Sequence, residues 1–224
     1  MGARTPLPVG VLISGNGSNL QALIDGQQAG TLPIVIKAVI SNRAEAYGLT
    51  RARDAGIETV VLSHKDFASR EEYDRRLMAV IDRYEPGLVV LAGFMRILSS
   101  ELVDHYLGRL INIHPSLLPD FKGLHTHERA LAAGVTAHGC SVHFVTPELD
   151  AGPVIVQARV PILPDDTPVT LAARVQTQEH RIYPLAVKWI AEGRVEMRDG
   201  GLYKDGVRLD SPPVIDAEQA TEPC

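Results

Sequence analysis

Asn112 and His114 stand two residues apart at the end of the apolar run Leu110-Ile111-Asn112-Ile113-His114. Side chains in a strand alternate between faces, so an amide and an imidazole at this spacing point the same way. An amide N–H can hold a carbonyl oxygen, and a protonated imidazole can stabilise a developing oxyanion and pass on a proton. A buried pair satisfied by backbone groups would use the same two residues. A carboxylate set against the ring would orient it and hold its charge. Asp150, in the polar turn Glu148-Leu149-Asp150-Ala151-Gly152-Pro153, is the candidate, although Asp-x-Gly equally suits a plain turn former. No Gly-x-Ser-x-Gly elbow accompanies these residues, so the trio points to catalysis without an enzyme-bound nucleophile.

A second constellation is Ser14-Gly15-Asn16-Gly17-Ser18-Asn19, placed between an apolar run and a helical pattern. Two glycines permit tight backbone turns, and the helix start offers unpaired N–H groups with a partial positive charge, which together suit a phosphate. The segment lacks the Gly-Lys-Ser/Thr of a P-loop, and Leu20 stands where GxGxxG needs its third glycine. Ile40-Ser41-Asn42-Arg43 also lacks the acid that NAD enzymes present to ribose, so dinucleotide binding is disfavoured. A Gly-rich turn capped by Ser18 is the alternative.

Six of the eight histidines, His105, His114, His125, His127, His138 and His143, fall within one short stretch. A His-x-His pair on a strand could bind a metal, but Gly123–Arg129 reads as a loop entering a helix. No cysteine pair or HExxH completes a zinc set. No metal is expected.

These residues need elements to hold them. Strand-like runs at Val9–Ile13, Ile34–Ile40, Glu58–Leu62, Leu88–Ala92 and Leu110–Ile113 alternate with helical stretches. The helices are expected at Ser18–Gly30, at Glu45–Ala55, from a Ser69/Glu72 capping box to about Tyr84, and near Ser99–Tyr106. That rhythm predicts a parallel sheet with helices on both faces. Beyond it, Cys140–Val145 and Val154–Val160 are separated only by a turn and suit an antiparallel pair. A long helix over about Pro168–Glu192 follows, with Thr167 and Pro168 at its start, and then a hairpin over Val195–Leu209 turned at Lys204-Asp205-Gly206. The fold class expected is α/β, a Rossmann-like, mostly parallel twisted sheet with antiparallel strands in its C-terminal half.

Composition narrows the function classes. Hydrophobic residues make up 45% and charged residues 22% of 224 residues, which excludes a wholly disordered chain. No apolar stretch is long enough to cross a bilayer, and Met1–Pro8 lacks the apolar run of a secretory signal, so a cytoplasmic protein is expected. Cys140 and Cys224 make no disulfide framework. The net charge is −5, and Asp210, Asp216, Glu218 and Glu222 concentrate most of it in a base-free tail. The nearly neutral remainder offers no footprint for nucleic acid. One domain over residues 1–209 is expected, with residues 210–224 hanging free as a disordered acidic tail.

The runs at Val11–Asp25, Val89–Ser99, Ile111–Pro119, Gly123–His127, Ser141–Ile155 and Arg174–Pro184 closely resemble the phosphoribosylglycinamide formyltransferase family of purine biosynthesis. The likeness covers about residues 9–200, in order and with compatible spacings. It implies the formyltransferase fold and formyl transfer from 10-formyltetrahydrofolate, a cosubstrate, to the amine of glycinamide ribonucleotide. It also implies Asn112, His114 and Asp150 as the catalytic trio, supporting direct attack of the amine on the formyl carbon through a tetrahedral intermediate. By the same likeness Gly17, Ser18 and Asn19 match the substrate-phosphate loop, and Gln176 and Glu179 match positions that hold the ribosyl-glycinamide part. The folate side is matched by Arg70, Met95, Arg96, Ile97, Leu98 and Asn112 with the loop Thr146, Pro147, Glu148, Leu149 and Asp150. Met95, Ile97 and Leu98 would line an apolar slot, and Arg70 and Arg96 would meet the glutamate carboxylates. The N-terminal half would then hold phosphate and substrate and the C-terminal half folate, in a monomer or homodimer without nucleic-acid or membrane partners. Asp120-Phe121-Lys122 departs from the family's usual loop.

Two relatives share the Asn-x-His and Asp pattern. A methionyl-tRNA formyltransferase should carry a further tRNA-binding domain, and a formyltetrahydrofolate deformylase a regulatory domain before the first strand. The phosphate loop favours the ribonucleotide substrate over both. A noncatalytic binding module and a zinc hydrolase are the readings from other classes.

Overall fold

The computed structural model describes residues 5–217. Its main sheet has eight strands in the order β11-β7-β6-β5-β4-β1-β2-β3. The parallel part is β1 (Leu7–Ile13), β2 (Ile34–Ser41), β3 (Thr59–Val61), β4 (Leu88–Leu91) and β5 (Leu110–His114). Its connections are α1 (Ser18–Gln28), α2 (Tyr47–Asp54), α3 (Arg70–Asp82) and α4 (Ser100–His105).

Both faces of these strands are covered, which is why the strands read as continuous apolar runs. Val9, Val11 and Ile13 of β1 and Leu88 and Val90 of β4 join a core with α1, α2 and the long helix α6 (Pro168–Ala191). Leu12, Val89 and Leu91 face the other way, into a core with Tyr73 and Leu77 of α3 and Leu102 of α4. Helix starts follow local chemistry. Ser69 Oγ accepts the Glu72 N–H at 3.1 Å, while the Glu72 carboxylate reaches back to the Ala68 N–H. Thr167 and Thr170 form a reciprocal box around Pro168 at the start of α6.

Sheet direction reverses after β5. β6 (Ala137–Phe144) and β7 (Val154–Pro161) are antiparallel, as their short connection requires, and α6 packs across both. α5 (Thr126–Ala132) lies in the β5–β6 connection.

Two expectations at the C-terminal end are corrected. The single hairpin is a three-stranded sheet of β8 (Val195–Arg198), β9 (Gly201–Lys204) and β10 (Val207–Leu209). Its additional turn is Asp199-Gly200, where both residues take the positive φ that a two-residue hairpin demands, as in Asp205-Gly206. The tail does not hang free from Asp210. Val214–Asp216 forms β11, parallel to β7, and Arg159 Nε donates to Asp216 Oδ1 at 2.6 Å. An acid counted as unpaired along the sequence thus has its base on the neighbouring strand. The remainder of the expected tail, residues 218–224, lies outside the described residues.

Gly139 on β6 is a demanding position, because a Cβ there would lie 1.9 Å from the Ala158 carbonyl oxygen of β7. Gly139→Ala is expected to destabilise the chain by about 1–3 kcal/mol or more, read as a lower urea midpoint with unchanged slope. An unchanged midpoint would show that the β6–β7 pair yields without cost.

Candidate active site

Between β1 and β4 the strand order switches direction, since the chain builds outward through β2 and β3 and then returns to add β4 and β5. In open α/β sheets the crevice at such a point, beyond the carboxyl ends of the strands, is where ligands bind. On β5, Ile111 and Ile113 join the core on the α6 side and Leu110 the core on the α3 side. Alternation therefore places Asn112 and His114 together on the Leu110 face.

His114 is buried, with Nδ1 3.5 Å from Asp150 Oδ2 and Nε2 3.0 Å from the Phe121 carbonyl. Both ring nitrogens face oxygen acceptors, and only the doubly protonated ring donates to both. Asp150 Oδ2 also accepts the Gly123 N–H at 2.9 Å, and Oδ1 lies 3.8 Å from His143 Nε2. Asp150 itself has φ +49°, a left-handed conformation that few residues other than glycine, asparagine and aspartate adopt.

Asn112 is held by a residue that the sequence left among the structural histidines. The β5–β6 register sets Asn112 opposite His143, and Asn112 Nδ2 lies 3.3 Å from His143 Nε2. His143 Nδ1 is 2.9 Å from the Phe144 carbonyl and must donate there, so Nε2 is the acceptor. Burial pushes the His143 imidazole down, which favours the neutral ring this pattern needs. One amide hydrogen of Asn112 goes to His143 and the other stays free for a ligand. Sequence reasoning lacked the signal for this pairing, which is the strand register.

A slot of about 100 Å³ opens beside Asn112, with Leu91, Val103 and Val145 supplying apolar wall. Arg96, Ile97 and Leu98 line it from the loop after β4. Thr146, Pro147, Leu149 and Asp150 line it from the β6–β7 connection. The Arg96 guanidinium lies 4.7 Å from the centre of the Tyr73 ring, a cation–π contact. Three expected members stand apart. Met95 lines a neighbouring cleft of about 370 Å³ with Asn112, His114 and Gly123. Arg70 pairs with Glu71 at 2.9 Å, and Glu148 with Lys122 at 3.3 Å, both exposed. The divergent Asp120-Phe121-Lys122 segment is the one that folds onto the trio, through the Phe121 carbonyl and the Gly123 N–H.

The residues expected to form a phosphate loop gather with the two α6 residues. Gly17 takes φ +73° before α1, and a Cβ there would sit 2.7 Å from Gly48 Cα, so the turn and α2 pack backbone to backbone. Asn19 Nδ2 donates to Glu179 Oε2 at 2.9 Å and Gln176 Nε2 to Ser18 Oγ at 3.2 Å. Burial pushes the Glu179 carboxyl up, opposed by the Asn19 hydrogen bond. Arg51, which the sequence did not single out, anchors the loop by donating to the Asn16 carbonyl at 2.9 Å and to Asn16 Oδ1 at 3.0 Å. The two chain halves share both regions, since Gln176 and Glu179 face the N-terminal loop and Arg96–Leu98 line the slot. Among the described residues no group of three or more His, Cys, Asp or Glu is placed to hold a metal ion.

A half-buried amide, a buried imidazole and a carboxylate beside an apolar slot are a set of groups suited to group transfer. Residues 8–187 match the formyl transferase family, and the chain belongs to it. The chain is 58% identical over 203 residues to phosphoribosylglycinamide formyltransferase of Escherichia coli, covering 91% of this chain and 95% of that one. The Haemophilus influenzae enzyme of the same name is 45% identical over 201 residues, covering 90% and 95%. The structure of the phosphoribosylglycinamide formyltransferase from Coxiella burnetii superposes with a TM-score of 0.90 at 56% identity, over 94% of this chain and 99% of that one.

Behind the trio, the His138 and His127 rings meet edge to face at 5.2 Å, and the His138 ring is buried. Burial first, and then the His127 charge, push His138 down to about 4. The unfolded chain therefore binds a proton near pH 6.5 that the folded chain refuses until about 4. The buried ring is without this cost above the unfolded value, and stability declines as pH falls from there toward 4. Unfolding free energy plotted between pH 6.5 and 4 should fall more steeply for the unsubstituted chain than for His138→Asn, by up to about one proton's worth of slope. Superimposable slopes would reject the assignment.

Proposed function

We propose that this chain transfers the formyl group of 10-formyltetrahydrofolate to the amine of glycinamide ribonucleotide, the reaction of the phosphoribosylglycinamide formyltransferases in purine biosynthesis. The observation that carries the reading is the Asn112–His114–Asp150 arrangement beside the slot, at the carboxyl end of β5, with the Gly17–Asn19 turn following the carboxyl end of the parallel strand β1. In this reading the formyltransferase unit includes β11, through Asp216, and acts in the cytoplasm, as a monomer or homodimer. Among the described residues no helix is long and apolar enough to cross a membrane.

The substrate phosphate sits on the N–H groups at the start of α1, with Ser18 and Asn19 at hand, where the helix end favours negative charge. Glu179 and Gln176 take the ribosyl-glycinamide hydroxyl and amide groups. The folate ring enters the apolar slot, while Arg96 and the more distant, exposed Arg70 offer charge to its carboxylates. The amine nitrogen attacks the formyl carbon, forming a C–N bond and placing negative charge on the formyl oxygen. The free Asn112 N–H and the His114 Nε2–H hold that oxygen, which replaces the Phe121 carbonyl as the partner of Nε2. Asp150 orients and balances the imidazolium from the Nδ1 side. Collapse breaks the bond to the folate nitrogen, which receives the proton lost by the attacking amine through water.

The test is absorbance-monitored tetrahydrofolate release from 10-formyltetrahydrofolate, with and without glycinamide ribonucleotide. Turnover should require the ribonucleotide, and His114→Ala and Asp150→Asn should each lower kcat/KM by about 10²-fold or more. Glu179→Gln should act mainly on the KM of the ribonucleotide. Folate turnover without an amine acceptor would instead mean a deformylase, and no turnover in any mixture a binding protein.

A further inference from the structure

Two buried polar side chains at the switch-point crevice belong to neither half of the site just described. Ser14, at the end of β1, and Asn42, at the end of β2, are 4% and 3% exposed. Buried polar groups this close to a strand end persist only when hydrogen-bonded, and here each bond leads to a different segment. Ser14 Oγ accepts the Met95 N–H at 2.8 Å and donates its own proton to Asn42 Oδ1 at 2.6 Å. The Ser14 N–H donates to the Gly93 carbonyl at 3.1 Å. On the far side, Asn42 Nδ2 lies 3.3 Å from His64 Nδ1, which it can only approach as donor. This amide orientation satisfies the whole chain, whereas the flipped one would leave the serine O–H without an acceptor. The hydrogen bonds therefore run in one sense from the loop after β4, through the ends of β1 and β2, to the turn after β3.

Ser14 opens the segment that continues through Gly17, Ser18 and Asn19, and Gly93–Met95 opens the segment that continues into Arg96, Ile97 and Leu98. We propose that Ser14 and Asn42 are positioning residues for transfer: their bridge sets the distance between the loop that carries the amine substrate and the loop that carries the formyl donor. This rests on the formyl-transfer reading above. The reacting atoms arrive on two ligands anchored to two different loops, so a relative slip of about 1 Å between the loops costs on the order of 10²-fold in rate while leaving each anchor intact. Neither side chain lines the slot or the cleft beside His114, so the effect is transmitted through backbone position.

The discriminating experiment compares Ser14→Ala, Asn42→Ala and Asn42→Asp with the unsubstituted chain. Asn42→Asp keeps an oxygen that accepts the Ser14 hydroxyl. For each, thermal unfolding, the Kd of glycinamide ribonucleotide alone, the Kd of a non-reactive folate alone, and single-turnover formyl transfer are measured. The expected result is a transfer rate lowered by about 10- to 100-fold in Ser14→Ala and Asn42→Ala, with each single-ligand Kd within about threefold and most of the rate restored in Asn42→Asp. Two results overturn the bridge: rates within threefold of the unsubstituted chain, or rate, both Kd values and Tm declining together without recovery in Asn42→Asp, which is mere loosening of the fold. Absence of transfer by the unsubstituted chain would overturn the formyl-transfer reading itself, and this inference with it.

Discussion

The site depends on Asp150 being carried back across the face of β5. Phe144 is paired with Ile111, so β6 has already passed His114, which lies opposite Ser141, and ends level with the first half of β5. The chain must then run back over the face that shows Asn112 and His114 before it can enter β7. It does so under tight restraint. Asp150 is held in a left-handed conformation, and at Gly152 a Cβ would lie 1.9 Å from the Phe144 carbonyl oxygen, so the returning loop lies against β6 with no room for a side chain. The same excursion forms one wall of the slot, through Thr146, Pro147 and Leu149. Carboxylate and slot are thus consequences of one connection, and they cannot be displaced independently.

The other half of the chemistry comes from parallel topology. Because β1 and β4 run the same way, their carboxyl ends deliver the Gly15–Asn19 turn and the Gly93–Leu98 loop to one edge of the sheet. A helix start supplies N–H groups there without any lysine. α6 closes the arrangement from the opposite end of the sequence. Its Tyr183 hydroxyl, fully buried, donates to the Leu91 carbonyl at 2.8 Å, while Gln176 and Glu179 reach the first turn of α1. One helix therefore fixes both the strand that leads into the slot loop and the residues facing the Gly15–Asn19 turn.

Much of this was legible in the sequence because it follows from local rules. The parallel strands through Leu110, the antiparallel pair after Cys140, the Ser69 and Thr167 helix starts and the common face of Asn112 and His114 all express periodicity or capping. What escaped was non-local. β11 is a three-residue strand whose stability lies in its pairing with β7 and in Arg159, neither of which leaves a periodic trace. The pairing of His143 with Asn112, the Arg51 anchor on Asn16 and the Ser14–Asn42 bridge are likewise settled by register and by side chains meeting across the fold. The placement of Arg70, Met95 and Glu148 outside the slot has the same origin, since a motif fixes a segment's neighbourhood but not the direction of each side chain within it.

The charge arrangement around Asp150 explains why two similar histidines take different parts. One carboxylate lies within 3.5 Å of His114 and 3.8 Å of His143, all in a buried space. Two imidazolium rings sharing one carboxylate would leave a buried positive charge without compensation, which desolvation makes expensive. The Phe144 carbonyl breaks the near-symmetry. By accepting from His143 Nδ1 it lets that ring be satisfied while neutral, with Nε2 taking the Asn112 amide, and both burial and the nearby His114 charge press the same way. His114 instead has an oxygen acceptor at each nitrogen. A neutral ring on β6 thus aims the amide, while the ring on β5 keeps an oxygen at each nitrogen, so the two histidines are told apart by the hydrogen-bond partners that neighbouring strands give them.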